Sequence, residues 1–324
     1  MRLLAAGALL VVLIQQAAGQ GEERLKFSAA AVNSPQTQHT VGPMSHSSLV
    51  LRAQIALHRA HFSCGEIDGS YGRNLQRATA AFQRFHRLPT TGIIGVETWA
   101  LLNRDPGPML IPYTISYEDL AGPFERIPRD MIAKSRFNYM GYNSALEELS
   151  ERFHSSPHLL QVLNPDKKFD RPGVEVWVPN VLSTLRGKAA SLVVSKSDTS
   201  VVALDRVGKV LAYYRASIGS EHDPLPLGTW KILSIQWYPK FYYNPKLFWD
   251  ANPTHAEAVI ASGPNNPVGV VWIELSKEHY GIHGTAEPSR IGYGTSHGCI
   301  ELANWDAAEL GQLVSVGTPA ILKN

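Results

Sequence analysis

The 324-residue chain is short of cysteine, of excess charge and of long apolar runs, and each shortage excludes something. Two cysteines, Cys64 and Cys299, cannot build a disulfide framework or a four-Cys zinc site. Thirty Lys plus Arg against 28 Asp plus Glu leave a net charge of +2, so the charge balance calls for no nucleic-acid partner. The apolar run Leu3 to Ile14 is too short to span a bilayer, which needs about 20 residues, so no stable membrane span is expected. What is present, 44% hydrophobic residues with 26 Gly and 21 Pro, suffices for real cores and is unlike a disordered or collagen-like chain.

Arg2 before that run, and Ala17-Ala18-Gly19 after it, have the form of a secretory signal over residues 1–19. The expected location is therefore outside the cytoplasm, in the periplasm or cell wall, where thiols tend to oxidise. A lone thiol kept there calls for a reason. Residues 20–48, rich in Ser, Gln, Thr and His without apolar periodicity, are expected to form a flexible leader.

Over residues 49–102, Leu75, Ala78, Phe82 and Phe85 recur at helical spacing and predict a helix from about Arg73 to His86. Val50, Gln54 and Leu57 predict another before it. Asp68-Gly69 and Thr91-Gly92 mark turns, and Cys64 reads as a semi-buried small apolar residue. Asn103 to Pro108 is a linker. Within residues 109–180, Pro112 to Ile115 predicts a strand. Ser144-Ala145-Leu146-Glu147 has the capping-box form, Ser156-Pro157 opens a second helix that ends at Asn164-Pro165, and Val174 to Val178 predicts an edge strand.

Residues 190–323 carry short β-branched runs at Leu192 to Val194, Val201 to Leu204, Val210 to Tyr214, Trp230 to Leu233, Val270 to Ile273 and Pro319 to Leu322. One helix, with Asn304 as its cap, interrupts them. Two segments stand out chemically: Tyr280-Gly281-Ile282-His283-Gly284-Thr285 and Thr295-Ser296-His297-Gly298-Cys299-Ile300. Cysteine is a strong nucleophile only as thiolate, so an imidazole that takes its proton is the usual activator, and His283 is the candidate. Gly298 lets backbone N–H groups approach a developing oxyanion. Taken singly, a Cys or a His is more often a structural residue; together in Gly-rich context they point to catalysis. A metal reading from His279, His283 and His297 fails on geometry, because on a strand His279 and His283 would lie about 13 Å apart. No metal ligand set is assigned.

Several of these motifs carry resemblances. Gly65 to Gly72, Ala80-Ala81-Phe82-Gln83, Gly92 to Gly95 and Thr98 to Leu102 resemble the three-helix peptidoglycan-binding domain of cell-wall enzymes. The strand, helix, helix, strand order of residues 109–180, with Leu163-Asn164-Pro165 and Pro172-Gly173, resembles a LysM glycan-binding module carrying an insertion, against which stands a purely structural linker domain. Gly263 to Gly269, Tyr280 to Thr285 and Ser296 to Ile300, followed by Asn304 and Asp306, resemble the YkuD-type L,D-transpeptidase catalytic domain. The resemblances together imply a multidomain chain: a small all-α peptidoglycan-binding domain, a small α+β LysM-like module and a mainly-β, sandwich-like catalytic domain.

The catalytic resemblance implies a cysteine acyl-enzyme acting on peptidoglycan stem peptides without a cofactor, with stem peptides and glycan strands as partners. Cys299 would be nucleophile and His283 the base. The backbone of Gly298 with that of Cys299 would bind the oxyanion, Gly284 and Thr285 would orient the imidazole, and Tyr280, Ser296 and His297 would line the cleft. Asn304 and Asp306 would shape the following helix. One departure stands out: the family has Arg after the Cys-Ile pair, and here the residue is Glu301. An anion facing the site would raise the thiol pKa and repel a substrate carboxylate. The alternatives are a hydrolase on the same acyl-enzyme and a non-catalytic wall-binding protein.

Overall fold

The computed structural model describes residues 27–35, 39–45, 47–181 and 187–324. The predicted signal, residues 1–19, lies outside them. Part of the expected flexible leader is packed: α1 (Ala29–Asn33) is capped by Ser28, whose side chain accepts from the Ala31 N–H, and Val32 and Val41 are buried. The Val32 carbonyl accepts from Arg52, and Val41 pairs with Ile94. Single apolar residues in a polar stretch give no periodicity, so composition alone hides this docking.

Three helices, α2 (Ser48–Arg59), α3 (Arg73–Phe85) and α4 (Val96–Leu102), form the helical unit. Leu75, Ala78 and Phe82 are the buried stripe of α3. Trp99 is fully buried and donates to the His39 carbonyl. The expected linker 103–108 is clamped onto α2, because Arg59 pairs with Asp105 and donates to the Pro108 carbonyl, while Arg52 binds Asn103.

The middle unit pairs β1 (Leu110–Thr114) antiparallel with β2 (Glu175–Pro179). Between them lie a short helix α5 (Met131–Lys134), then α6 (Ala145–Arg152), capped by Ser144, and α7 (Pro157–Leu163), capped by Ser156. Its apolar residues do not form a separate core. Leu149, Leu159, Val176 and Val178 join Leu51, Phe82 and Trp99 of the helical unit in one cluster, reached also by Tyr213.

The rest is one continuous nine-stranded sheet. Its members are β3 (Ser191–Ser195), β4 (Ser200–Leu204), β5 (Val210–Arg215), β6 (Ser217–Ile218), β7 (Gly228–Trp237), β10 (Val271–Leu275), β11 (Gly281–His283), β12 (Ile300–Glu301) and β13 (Pro319–Lys323). The order across it is β5, β4, β3, β13, β7, β10, β11, β12, β6. The long β7 joins two halves: its start pairs with β13 and its remainder with β10. Leu192, Val194 and Leu322 from one half and Ile273, Ile282 and Ile300 from the other share a core with α8 (Asn304–Leu313), which gives a mainly-β domain packed about one interior. A separate hairpin, β8 (Phe241–Tyr243) with β9 (Ala258–Ile260), is tied by Tyr243 and Ile260 to Met140 of the middle unit.

Two polar contacts, one buried and one partly buried, bolt the helical unit to the sheet domain. Ser63 donates to Asp306 Oδ2 at 2.7 Å, and Asn74 donates to the Ile291 carbonyl at 2.7 Å. Asn304 is not the cap expected of it: Ala303 occupies that position, and Asn304 begins the helix with its side chain turned inward. There its Oδ1 accepts from the Val270 N–H, and its Nδ2 donates to the Pro264 carbonyl and to Glu151 of the middle unit.

Candidate active site

A cleft of about 840 Å³ opens above strands β10, β11 and β12, and Trp272, Tyr280, His283, His297, Cys299 and Glu301 all line it. Pairing explains why. Trp272 stands opposite His283 across β10 and β11, and His283 stands opposite Glu301 across the parallel β11–β12 pair. Residues opposite one another in a sheet project to one face, so the three form a row. Ile300 points the other way into the core, fully buried, which leaves Cys299 and Glu301 on the cleft side.

His283 is buried, and its ring stacks on Trp272 at 5.5 Å with 20° between planes. Its Nδ1 lies 2.7 Å from the Gly284 carbonyl. A carbonyl only accepts, so Nδ1 carries the proton and Nε2 is left with the lone pair of a base. Burial lowers the imidazole pKa to about 4, partly offset by the bond to Gly284. The ring is therefore neutral at physiological pH.

The Cys299 thiol donates to the His279 carbonyl at 3.7 Å. Burial pushes its pKa up to about 12; the Gly281 N–H works against the shift, and the charges of Glu301 and Asp223 add to it. Thiol and imidazole are thus both neutral at rest. Gly298 sits at φ 94°, where L-residues are strained, and a Cβ there would come within 2.8 Å of the Tyr280 ring. The N–H groups of Gly298 and Cys299 find no acceptor among the described residues and remain as donors beside the thiol.

Two expectations about individual residues need correction. Ser296 does not line the cleft: it is buried, donates to the Cys299 carbonyl and accepts from the Gly219 N–H at 2.7 Å, so it fixes the backbone that carries Cys299. Thr285 does not reach the imidazole; its Oγ1 accepts from the Glu287 N–H in the turn that follows. His297 does line the cleft, held by Asp250 at 2.8 Å and flanked by Phe248 and Trp249.

Sequence reasoning missed the Gly281 N–H, Trp272 and the cleft wall supplied by the middle unit. Arg129, Asp130 and Met131 from the insertion line the cleft opposite no sequence signal. Asp130 pairs with His255, which contacts Tyr243 Oη, so the insertion and the β8–β9 hairpin are joined. Among the described residues no group of three or more side chains is arranged to hold a metal ion, and no helix is long and apolar enough to cross a membrane.

Comparison with known proteins gives two family matches. Residues 189–322 match the L,D-transpeptidase catalytic domain (YkuD), and residues 46–102 match the "Putative peptidoglycan binding domain". The curated "Putative L,D-transpeptidase YkuD" of Bacillus licheniformis is 53% identical over 55 residues, 17% of this chain and 33% of that protein. The "Putative L,D-transpeptidase YqjB" of Bacillus subtilis is 28% identical over 152 residues, 45% of this chain and 77% of that protein. The chain thus spans about a third of the first relative's length and about three quarters of the second's. A solved L,D-transpeptidase from Mycobacterium smegmatis is 20% identical, with a TM-score of 0.35 over 48% of this chain and 76% of that one.

Proposed function

We propose that this chain is an exported cysteine acyltransferase acting on peptidoglycan stem peptides, because residues 189–322 match the L,D-transpeptidase catalytic domain (YkuD) and residues 46–102 match the peptidoglycan-binding family. One observation carries the reading: Cys299, directly before β12, and His283, at the end of the neighbouring β11, line one cleft, with the base tautomer of His283 set by Gly284.

With both groups neutral at rest, the thiol proton moves to His283 Nε2 as Cys299 attacks the donor carbonyl. The Gly298 and Cys299 N–H groups stabilise the oxyanion. Collapse expels the terminal D-alanine, whose nitrogen takes the proton from His283, and leaves a thioester. An amine then attacks the thioester, gives a proton to His283, and the departing Cys299 sulfur recovers it. Water in place of the amine makes the same machinery a carboxypeptidase, the second reading, which the Glu301 anion at the family's Arg position keeps open.

Exposing folded protein to a carbapenem and measuring intact mass tests the reading. The expected result is one adduct, on Cys299, together with D-alanine release from a stem tetrapeptide. Absence of both would leave a wall-binding protein without catalysis. The middle unit, with its strand pair and two capped helices, would add a second glycan contact in the LysM manner, testable by sedimentation of residues 109–180 variants of the full chain with purified sacculi.

A further inference from the structure

Four carboxylates line the cleft and the acyl-transfer scheme uses none of them: Asp130 pairs with His255 and Asp250 with His297, while Asp223 and Glu301 have no ion pair among the described residues, and of these two Glu301 is the one set opposite His283. Glu301, on β12, lies two residues beyond Cys299, which directly precedes that strand, and stands opposite His283 in the parallel pairing with β11; all three line the cleft. Its carboxylate has no hydrogen bond or ion pair among the described residues. Arg290, the basic side chain whose charge acts on it, is held by Glu287 at 2.8 Å. Burial pushes the Glu301 pKa up to about 7, with Arg290 opposing and Glu287 reinforcing. An anion kept beside a thiol is costly to acylation, because it disfavours the thiolate. Such a cost points to a role in the other half of the reaction.

Resting on the assignment of Cys299 as nucleophile, we propose that Glu301 is the binding residue for a primary ammonium group of the substrate, held between nucleophile and base. An ammonium ion in the cleft supplies the missing partner for this carboxylate, in a site shielded enough for a charge-assisted hydrogen bond to form. An acceptor amine arriving as R–NH3⁺ has no lone pair. It passes one proton to the Glu301 carboxylate, attacks the thioester carbon as R–NH2, and passes a second proton to His283 Nε2. The C–S bond breaks, Cys299 sulfur takes the proton from His283, and Glu301 returns its proton to solvent. The same ammonium chemistry exists on the side chain of a diamino acid in the donor peptide, and the experiment separates the two sources.

The full chain and its Glu301→Gln and Glu301→Asp variants are acylated with a stem tetrapeptide, and the products of amine transfer and of hydrolysis are counted by mass spectrometry against the concentration of D-alanine amide. A parallel arm uses a donor whose diamino side chain is free or N-acetylated. Glu301→Gln is expected to raise the amine concentration that gives equal transfer and hydrolysis about tenfold, or to erase the preference for the free-amine donor by a similar factor. The first result assigns the acceptor and the second the donor. In the same variant, alkylation of Cys299 by iodoacetamide is expected to become faster, an opposite movement that simple misfolding of the site does not produce. Glu301→Asp keeps the charge and should retain most of the partition. A wild-type protein that acylates while Glu301→Gln leaves both arms unchanged overturns the ammonium site alone. A wild-type protein that never acylates overturns the proposed function and this site with it.

Discussion

Arg129 and Cys299, 170 positions apart in the chain, line the same cleft. The middle unit therefore builds part of the wall around Cys299. The insertion is stapled in place by backbone: Met140 donates to the Ser262 carbonyl at 2.9 Å and its own carbonyl accepts from the Asn265 N–H at 2.9 Å.

Gly263 makes that staple possible. It sits at φ 142°, and a Cβ there would lie 2.3 Å from the Met140 carbonyl oxygen. Gly263→Ala is expected to cost about 2–4 kcal/mol and to raise KM for a stem peptide, since the insertion must move away. Urea unfolding and steady-state kinetics check it; equal KM with lowered stability would show that the wall does not touch substrate.

Ser296→Ala removes the hydroxyl that joins the Cys299 carbonyl to the Gly219 N–H. The expected loss is about 1–2 kcal/mol of stability and roughly tenfold in the rate of acylation by a carbapenem. Stopped-flow acylation reads the second, and an unaltered rate would mean that the nucleophile needs no such anchor.

The thiol pKa near 12 makes a kinetic prediction. Folded Cys299 should react with iodoacetamide far more slowly at pH 8 than the same residue in urea, and its rate should still be climbing at pH 10. A plateau reached near pH 7 would indicate a thiolate–imidazolium pair at rest.

Glu151 accepts from Asn304 at the seam between middle unit and sheet domain, and burial raises its pKa to about 7. A carboxyl with a folded pKa above its unfolded value favours the fold while protonated, so its contribution falls as pH rises from about 4.5 through 7. Glu151→Gln keeps an acceptor for Asn304 and removes the titration. At pH 8 it should be more stable than the parent by about 1–3 kcal/mol, with little difference at pH 4.5, as measured by chemical unfolding at both pH values.

Asp306 behaves alike: burial pushes its pKa up while Ser63 holds it at 2.7 Å. Ser63→Ala strands the carboxyl and should cost about 1–3 kcal/mol, whereas Asp306→Asn should be milder. Equal losses from both would place the effect in packing instead of the hydrogen bond.

Much of this architecture was legible locally. The period of Leu75, Ala78 and Phe82, the caps at Ser144 and Ser156, and the alternation of Leu192 to Val194 each reflect a backbone preference that adjacent residues decide. Cys299 and His283 were legible as candidates because each sits among glycines, and a Cβ at Gly281, Gly284 or Gly298 would meet Trp272, Asn304 or Tyr280. What stayed hidden depended on distant partners. Ser296 looks like a cleft residue until Gly219 and the Cys299 carbonyl turn it inward, and Asn304 looks like a cap until Pro264, Val270 and Glu151 claim its amide. The docking of Val32 and the reach of Arg129 into the cleft have no local signature at all.

The joint between helical unit and sheet domain has a mechanical consequence. A module on a loose tether raises the local concentration of its target and leaves the approach angle to chance. Here Ser63 on Asp306, Asn74 on the Ile291 carbonyl and a shared core with the middle unit remove that freedom. Under the proposed function, a wall strand gripped by residues 46–102 would meet Cys299 at one reach and one heading, and the unit would act as a caliper that selects which peptide along the strand is presented.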